Sequence, residues 1–84
     1  MNYLATFFTH YGAMCFQRYC RENSLPAKMS AVPRSLSASC GVCIRFSAEH
    51  PPDLEAHQDM EGCYAITSSE GYMLVWVAED ATAE

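Results

Sequence analysis

A strict alternation of side-chain type just past the middle of the chain limits the fold most. Val42, Ile44 and Phe46 alternate there with Cys43 and Arg45. A period of two residues is typical of a β-strand with one buried face. We therefore predict a strand at this position, with the three apolar side chains on the core and with Cys43 and Arg45 on the open face of the sheet.

The residues before this strand predict two strands with a helix between them. Residues 3–8 are aromatic and apolar and favour a strand. Thr9 offers a helix N-cap, and an amphipathic helix follows over residues 10–23, with apolar side chains at roughly helical spacing. Residues 27–32 suit a second strand that Pro33 ends. A polar loop then joins it to the alternating strand as a hairpin.

The residues after this strand predict a second helix and a last strand. Residues 52–60 begin with proline and acidic side chains, which suit the first turn of a helix. Residues 63–67 are ambiguous, either another strand or a continuation of that helix. Residues 72–77 form an apolar run typical of a strand, and residues 79–84 form an acidic tail that we expect to be disordered.

The predicted order of elements is β-α-β-β-α-β. This order suits an α+β fold of the ferredoxin-like kind, a sandwich with an antiparallel sheet and two helices on one face. The chain has 84 residues, which is enough for one hydrophobic core and too few for two. We therefore expect a single domain over residues 1–78.

The net charge of −5 hides a strong asymmetry along the chain. All five cations precede residue 46, with Glu22 as their one acidic companion, while the other nine acids follow. They are Arg18, Arg21, Lys28, Arg34 and Arg45. The two parts either pack as solvated faces of opposite sign, or the positive part meets an acidic partner or an anionic group. Five dispersed cations argue against nucleic-acid binding.

The five cysteines and the terminal residues indicate a cellular compartment. An odd number of thiols is awkward in a secreted domain of this length. The first residues lack the basic start and the apolar run of a signal peptide, and residues 72–77 are too few to cross a bilayer. We therefore expect a cytoplasmic protein without a membrane segment, whose thiols stay reduced.

Cys40 is the thiol with the strongest case for chemistry. It ends a serine-rich loop, and Gly41 after it permits a turn that other residues adopt poorly. Arg34 and Arg45 flank it in sequence and would favour its thiolate, the form that attacks sulfur. The other cysteines are more simply explained as small buried hydrophobic residues, Cys15 and Cys20 most clearly.

Cys43 forms a Cys-x-x-Cys with Cys40, which allows three interpretations. It could be a resolving thiol in a redox pair, but in a regular strand the odd spacing places the two sulfurs on opposite faces. A turn at Gly41 could still bring them together. A zinc site of this kind needs a second pair at similar spacing, which the chain lacks. The third interpretation is that Cys43 is incidental.

The segment from Pro33 through the Cys40-Gly41 pair to Phe46 resembles a known family. It is similar to the small bacterial domains described as putative selenium/sulfur carrier protein-like. Their pattern is Pro-Arg, a few small polar residues, Cys-Gly, and an apolar strand that ends near Arg-Phe. Upstream, Thr9 and His10 match the family's Thr-His. The resemblance covers residues 3–46 well and the remainder in outline.

The resemblance implies a carrier without catalytic activity or a cofactor. Cys40 would bear a persulfide or selenopersulfide, with Pro33, Arg34 and Gly41 matching the motif around it. A cysteine desulfurase-like donor would load it, and a sulfur- or selenium-accepting protein would unload it. Cys43 occupies a position expected to be merely apolar. The alternatives are a dithiol redox module and a small metal- or protein-binding domain without sulfur chemistry, and a homodimer is left open.

Overall fold

One helix and five strands make up the described part of the computed structural model. The structure describes residues 1–36, 40–52, 57, 59–67 and 71–78. The elements are, in chain order, β1 (Asn2–Phe7), α1 (His10–Glu22), β2 (Ala27–Ala31), β3 (Val42–Ser47), β4 (Met60–Ile66) and β5 (Tyr72–Val77). The predicted first three strands, the helix and the last strand are confirmed to within two residues at each end.

Helix α1 begins at a side-chain cap, as the sequence predicts. Thr9 has an extended backbone, and its Oγ1 accepts a hydrogen bond of 3.0 Å from the amide of Gly12. This bond satisfies one of the amide groups that the first turn leaves without a partner. At the other end the Asn23 side chain donates to the carbonyl of Tyr19 at 2.8 Å. Local residues therefore define both ends of the helix.

The five strands form one antiparallel sheet in the order β2-β3-β1-β4-β5. The predicted hairpin is confirmed, with Ala27 opposite Phe46 and Ala31 opposite Val42. β1 is central because it pairs with β3 on one side and with β4 on the other. β2 and β5 are the edges. The β2–β3 connection therefore leaves the sheet at one edge, close to the start of α1.

The core lies between α1 and one face of the sheet. Phe16 of α1 stacks among the strand side chains, with its ring centroid 5.0 Å from that of Phe46 and 5.6 Å from that of Phe7. Ile44 is fully buried in the same cluster, and Val42 packs at its edge. Each large apolar side chain buried in this way contributes about 1.5–3 kcal/mol. The predicted inward direction of the apolar residues of β3 is confirmed.

The ferredoxin-like prediction is wrong. The described residues contain α1 as their single helix, and Met60, the predicted end of the second helix, begins β4. Residues 53–56 and 58 of that helix, like the predicted tail 79–84, lie outside the described residues. The ambiguous stretch 63–67 is a strand through Ile66, which makes a sheet of five strands. Helix-start signals are local, whereas β4 is a strand because β1 and β5 pair with it from both sides.

The face of the sheet away from α1 is less open than predicted. Cys43 and Arg45 do lie on it, but Cys43 is fully buried, as are Leu4 and Thr6 of β1. Arg45 donates from Nη2 to the hydroxyl of Tyr72 at 3.1 Å, although β1 and β4 separate their strands. The side chains of Arg45 and Tyr72 therefore meet over the intervening strands and help to cover this face.

Candidate functional site

Cys40 lies at the point where the β2–β3 connection returns to the sheet, two residues before β3 begins. Its side chain is half-buried and packs against the edge of the core on the side of α1. Its Sγ donates to the carbonyl of Val42 at 3.6 Å. The thiol therefore combines partial exposure with a defined position, which a cysteine in a fully solvated loop would lack.

Gly41 shapes the turn after the thiol through its backbone. Its φ is +80°, in the region that residues with a Cβ disfavour, and within the described part of the chain no atom beyond its two chain neighbours lies within 4 Å of where a Cβ would stand. Its carbonyl accepts a hydrogen bond of 3.1 Å from the amide of Val32. Glycine is thus required by the backbone conformation rather than by crowding, and the bond closes the base of the connection beside Cys40.

His10, the first residue of α1, holds the backbone of Cys40. Its Nε2 lies 3.0 Å from the carbonyl oxygen of Cys40. Because a carbonyl can only accept, Nε2 carries the proton and donates it. In the neutral ring Nδ1 is then an acceptor. Sequence analysis noted His10 beside Thr9, but its contact with a residue thirty positions away has no signal in the sequence.

A second contact, from Asp59, fixes the start of α1. The hydroxyl of Thr9 donates to Oδ2 of Asp59 at 2.8 Å, and the Asp59 carbonyl accepts from the amide of Phe8 at 2.8 Å. A carboxylate is favourable at the positive end of a helix. Three segments therefore meet here: the end of the β2–β3 connection, the first turn of α1, and the residue before β4. Sequence analysis did not identify Asp59.

The two predicted arginines are brought together at Tyr72, on the other side of the sheet. Arg45 contacts the Tyr72 hydroxyl and lies with its guanidinium carbon 5.9 Å from the ring centroid. Arg34 is exposed and lines a shallow depression with Pro33, Ser35 and Tyr72. Tyr72 thus joins the predicted pair as a residue that sequence analysis did not single out.

Cys43 lies in an environment unlike that of Cys40. Its Sγ is buried, 3.6 Å from the hydroxyl of Ser30, and donates to the carbonyl of Ala31 at 3.6 Å. Strand alternation points it away from Ile44 and α1, whereas Cys40 packs against the core on the α1 side. All five cysteines are free thiols.

Two further cysteines, Cys20 and Cys63, are buried, and burial disfavours their thiolates. Burial raises the pKa of Cys20 to about 11 and the pKa of Cys63 to about 12. Both side chains are fully enclosed in the core cluster, which fits the prediction of small hydrophobic residues. Cys15, on α1, is half-buried instead. Only Cys15 and Cys40 therefore combine a free thiol with partial access to solvent.

The described part of the chain contains neither a cluster of metal ligands nor a membrane-spanning helix. Within the described ranges, no three His, Cys, Asp or Glu side chains come close enough together to hold a metal ion. In the same part of the chain, no helix has both the length and the apolar character needed to cross a bilayer.

Comparison with known proteins gives one match. The model of the family described as "putative Se/S carrier protein-like" matches residues 2–62. No curated protein and no solved structure matches the chain significantly. The matched segment runs from β1 into β4 and includes His10, Cys40, Gly41 and Asp59.

Proposed function

This chain belongs to the putative Se/S carrier protein-like family, and from that premise we propose that Cys40 carries the sulfur or selenium. The thiol would hold it as a persulfide or selenopersulfide and pass it between two proteins. The observation that carries the proposal is the position of Cys40. It lies half-exposed inside the matched segment, before a turn at Gly41 and with its carbonyl held by His10.

Loading is a thiol exchange without net oxidation. The Cys40 thiolate attacks the outer sulfur of a donor persulfide, R–S–SH, and forms a new S–S bond as the donor's S–S bond breaks. The donor leaves as a thiolate, R–S⁻, with the electron pair of the broken bond. Cys40 becomes Cys–S–SH, and the proton of the outer sulfur stays on it. Unloading repeats the step with the acceptor thiolate as the attacking group, and a selenopersulfide reacts in the same way.

Differences among the thiols favour Cys40 as the carrier. Attack requires a thiolate with access to another protein's sulfur. Cys20 and Cys63 fail on both counts, because they are enclosed and burial raises the pKa of each. Cys43 is enclosed as well and faces away from α1. A carrier is loaded and unloaded once per transfer, so it acts as a stoichiometric intermediate and not as an enzyme.

The arginines support the proposal less directly. Arg34 is exposed near Tyr72 and Arg45 is engaged by Tyr72, so both cations would act on an anionic persulfide through their charge at a distance and not by pairing with it. We propose a cysteine desulfurase-like donor and a sulfur- or selenium-accepting protein as partners.

A reducing compartment such as the cytoplasm suits a chain with five free cysteines.

The proposal is tested by intact-mass spectrometry after incubation with a cysteine desulfurase and cysteine. Wild-type protein should gain the mass of one sulfur atom, and the gain should disappear after treatment with a reducing thiol. Peptide mapping should place the sulfur on Cys40. Cys40→Ser should gain nothing, because no other accessible thiol lies in the site.

Cys15→Ser is the matched control, since Cys15 is the other half-buried thiol. Its final mass gain should equal that of the wild type, because Cys15 itself receives no sulfur. An equal gain of mass in Cys40→Ser and in the wild type would refute the assignment. Loss of loading in Cys43→Ser with a retained fold would instead favour the dithiol alternative.

A further inference from the structure

We propose that the outward face of α1 is the docking surface for an acidic face of the sulfur donor protein. This proposal rests on the proposed carrier function of Cys40. The surface, called the α1 outer stripe below, consists of Tyr11, Met14, Cys15, Arg18 and Arg21. These residues and Gln17 line a shallow depression on the helix. The stripe faces away from the core. The carrier chemistry of Cys40 does not by itself require these side chains to be exposed.

The stripe presents large apolar side chains to solvent. Tyr11 is 63% exposed and Met14 is 60% exposed. The spacing of three, four, seven and ten residues after Tyr11 keeps the five side chains on one side of the helix. Phe16 and Cys20 bury the other side. A solvated helix face is ordinarily polar, and Tyr, Met and Arg are enriched in protein–protein interfaces.

Within the stripe, Tyr11 and Cys15 contact each other along the helix. The Cys15 thiol lies beside the Tyr11 phenol and, chiefly by hydrogen bonding, raises the pKa of that phenol. Cys15 is therefore engaged with its neighbour on the helix. Tyrosine has few rotatable bonds, so ordering it in an interface costs little conformational entropy.

The stripe lies next to the carrier thiol. His10 precedes Tyr11 and contacts the carbonyl of Cys40 at 3.0 Å. A helix rises 1.5 Å per residue, so Met14 lies only about 6 Å along the axis from His10. A partner seated on the stripe would therefore have Cys40 at the edge of its footprint. That placement is required for sulfur transfer, because the attacking thiolate must reach the donor's outer sulfur.

The charge of the stripe selects an acidic partner. Arg18 and Arg21 are both exposed, whereas the chain as a whole carries −5 and nine of its ten acids follow residue 46. Among the described residues, two acidic groups lie at the ends of the stripe, Glu22 after Arg21 and Asp59 beside Thr9. An acidic surface is repelled by the net negative charge of the chain and attracted to the two arginines of the stripe, which orients the encounter.

The experiment measures the rate of sulfur transfer to Cys40 from a persulfide-loaded cysteine desulfurase, by quenched intact-mass spectrometry at low and at high salt. Arg18→Glu should lower the rate about tenfold at low salt and much less at high salt. Arg18→Gln should give an intermediate loss. Lys28→Glu, the same charge change on the exposed Lys28 of β2, should transfer close to the wild-type rate.

A parallel reaction with glutathione persulfide, which needs no docking surface, separates this inference from the proposed function. All variants should accept sulfur from it equally, and circular dichroism should show that their fold is unchanged. Failure of Cys40 to accept sulfur from either donor would refute the carrier function. Loading of Cys40 by glutathione persulfide, with Arg18→Glu as fast as the wild type toward the desulfurase, would overturn the docking surface alone.

Discussion

Cys40 and Cys43 are three residues apart, and they lie in opposite kinds of environment. Cys40 is half-buried at the end of a connection, with its carbonyl bound by His10. Cys43 is fully enclosed in β3, with its sulfur against Ser30 and Ala31. One thiol can meet another protein, and the other can only pack.

The difference between the two positions arises at Gly41. Its positive φ ends the irregular connection and starts a regular strand, in which alternation determines the direction of each side chain. A Cys-x-x-Cys that spans such a boundary differs from one within a single element. Strand alternation determines the direction of the second cysteine, whereas the conformation of the connection determines that of the first. The position of the boundary therefore decides whether the motif can act as a pair.

The largest predicted effect is in native-state labelling with iodoacetamide at pH 8, because alkylation requires the thiolate. Cys40 should be labelled long before Cys43 or Cys63. With a pKa of about 12, Cys63 is ionised only on the order of 10⁻⁴ at this pH, before enclosure is counted. Peptide mapping over time gives the rates, and urea-unfolded protein is the control in which all five should react. Labelling of Cys43 as fast as Cys40 in folded protein would break the comparison.

A smaller effect is expected at Gly41, where only the backbone demands glycine. Gly41→Ala should lower the free energy of unfolding by about 1–2 kcal/mol, because alanine resists positive φ. Gly41→Asn should cost less, because asparagine tolerates this region better. Urea denaturation measures both variants. Equal losses in the two would mean that something other than φ restricts the position, contrary to the open space around it.

The smallest effect is expected at His10. His10→Ala removes one hydrogen bond to the Cys40 carbonyl, a contribution of about 0.5–1.5 kcal/mol. The amide of Val32, which donates to Gly41, should then exchange its hydrogen up to about tenfold faster by NMR. His50→Ala, at another exposed histidine, should leave that exchange unchanged. Unchanged exchange in His10→Ala would show that the histidine does not restrain the turn.

Local patterns in the sequence were reliable wherever the determining contacts are also local. The cap at Thr9 satisfies an amide three residues ahead, and the alternation from Val42 to Phe46 records one buried face. The hairpin of β2 and β3 joins neighbouring segments, and β5 is a compact apolar run. The Pro-Arg and Cys-Gly pattern likewise identified the family, since a family motif is read along the chain.

The predictions that failed depended on contacts between distant segments. Proline and acidic residues suggested a second helix up to Met60, but β4 begins there because β1 pairs with it more than fifty residues away. The open face of the sheet proved closed around Cys43. Arg45 flanks Cys40 in sequence, but its guanidinium contacts Tyr72 of β5, a partner that the spacing along the chain does not indicate.

The sequence by itself determined the local setting of Cys40, because a serine-rich loop, a Cys-Gly pair and an alternating strand are all local features. Only the tertiary structure decided what surrounds it. The contact of His10 with Cys40, the burial of Cys43 and the position of the α1 outer stripe beside the thiol all follow from packing a helix against a five-stranded sheet. Such packing brings together residues that no spacing along the chain relates. Cys40 was identified from its neighbours in sequence, and its proposed chemistry depends on its neighbours in space.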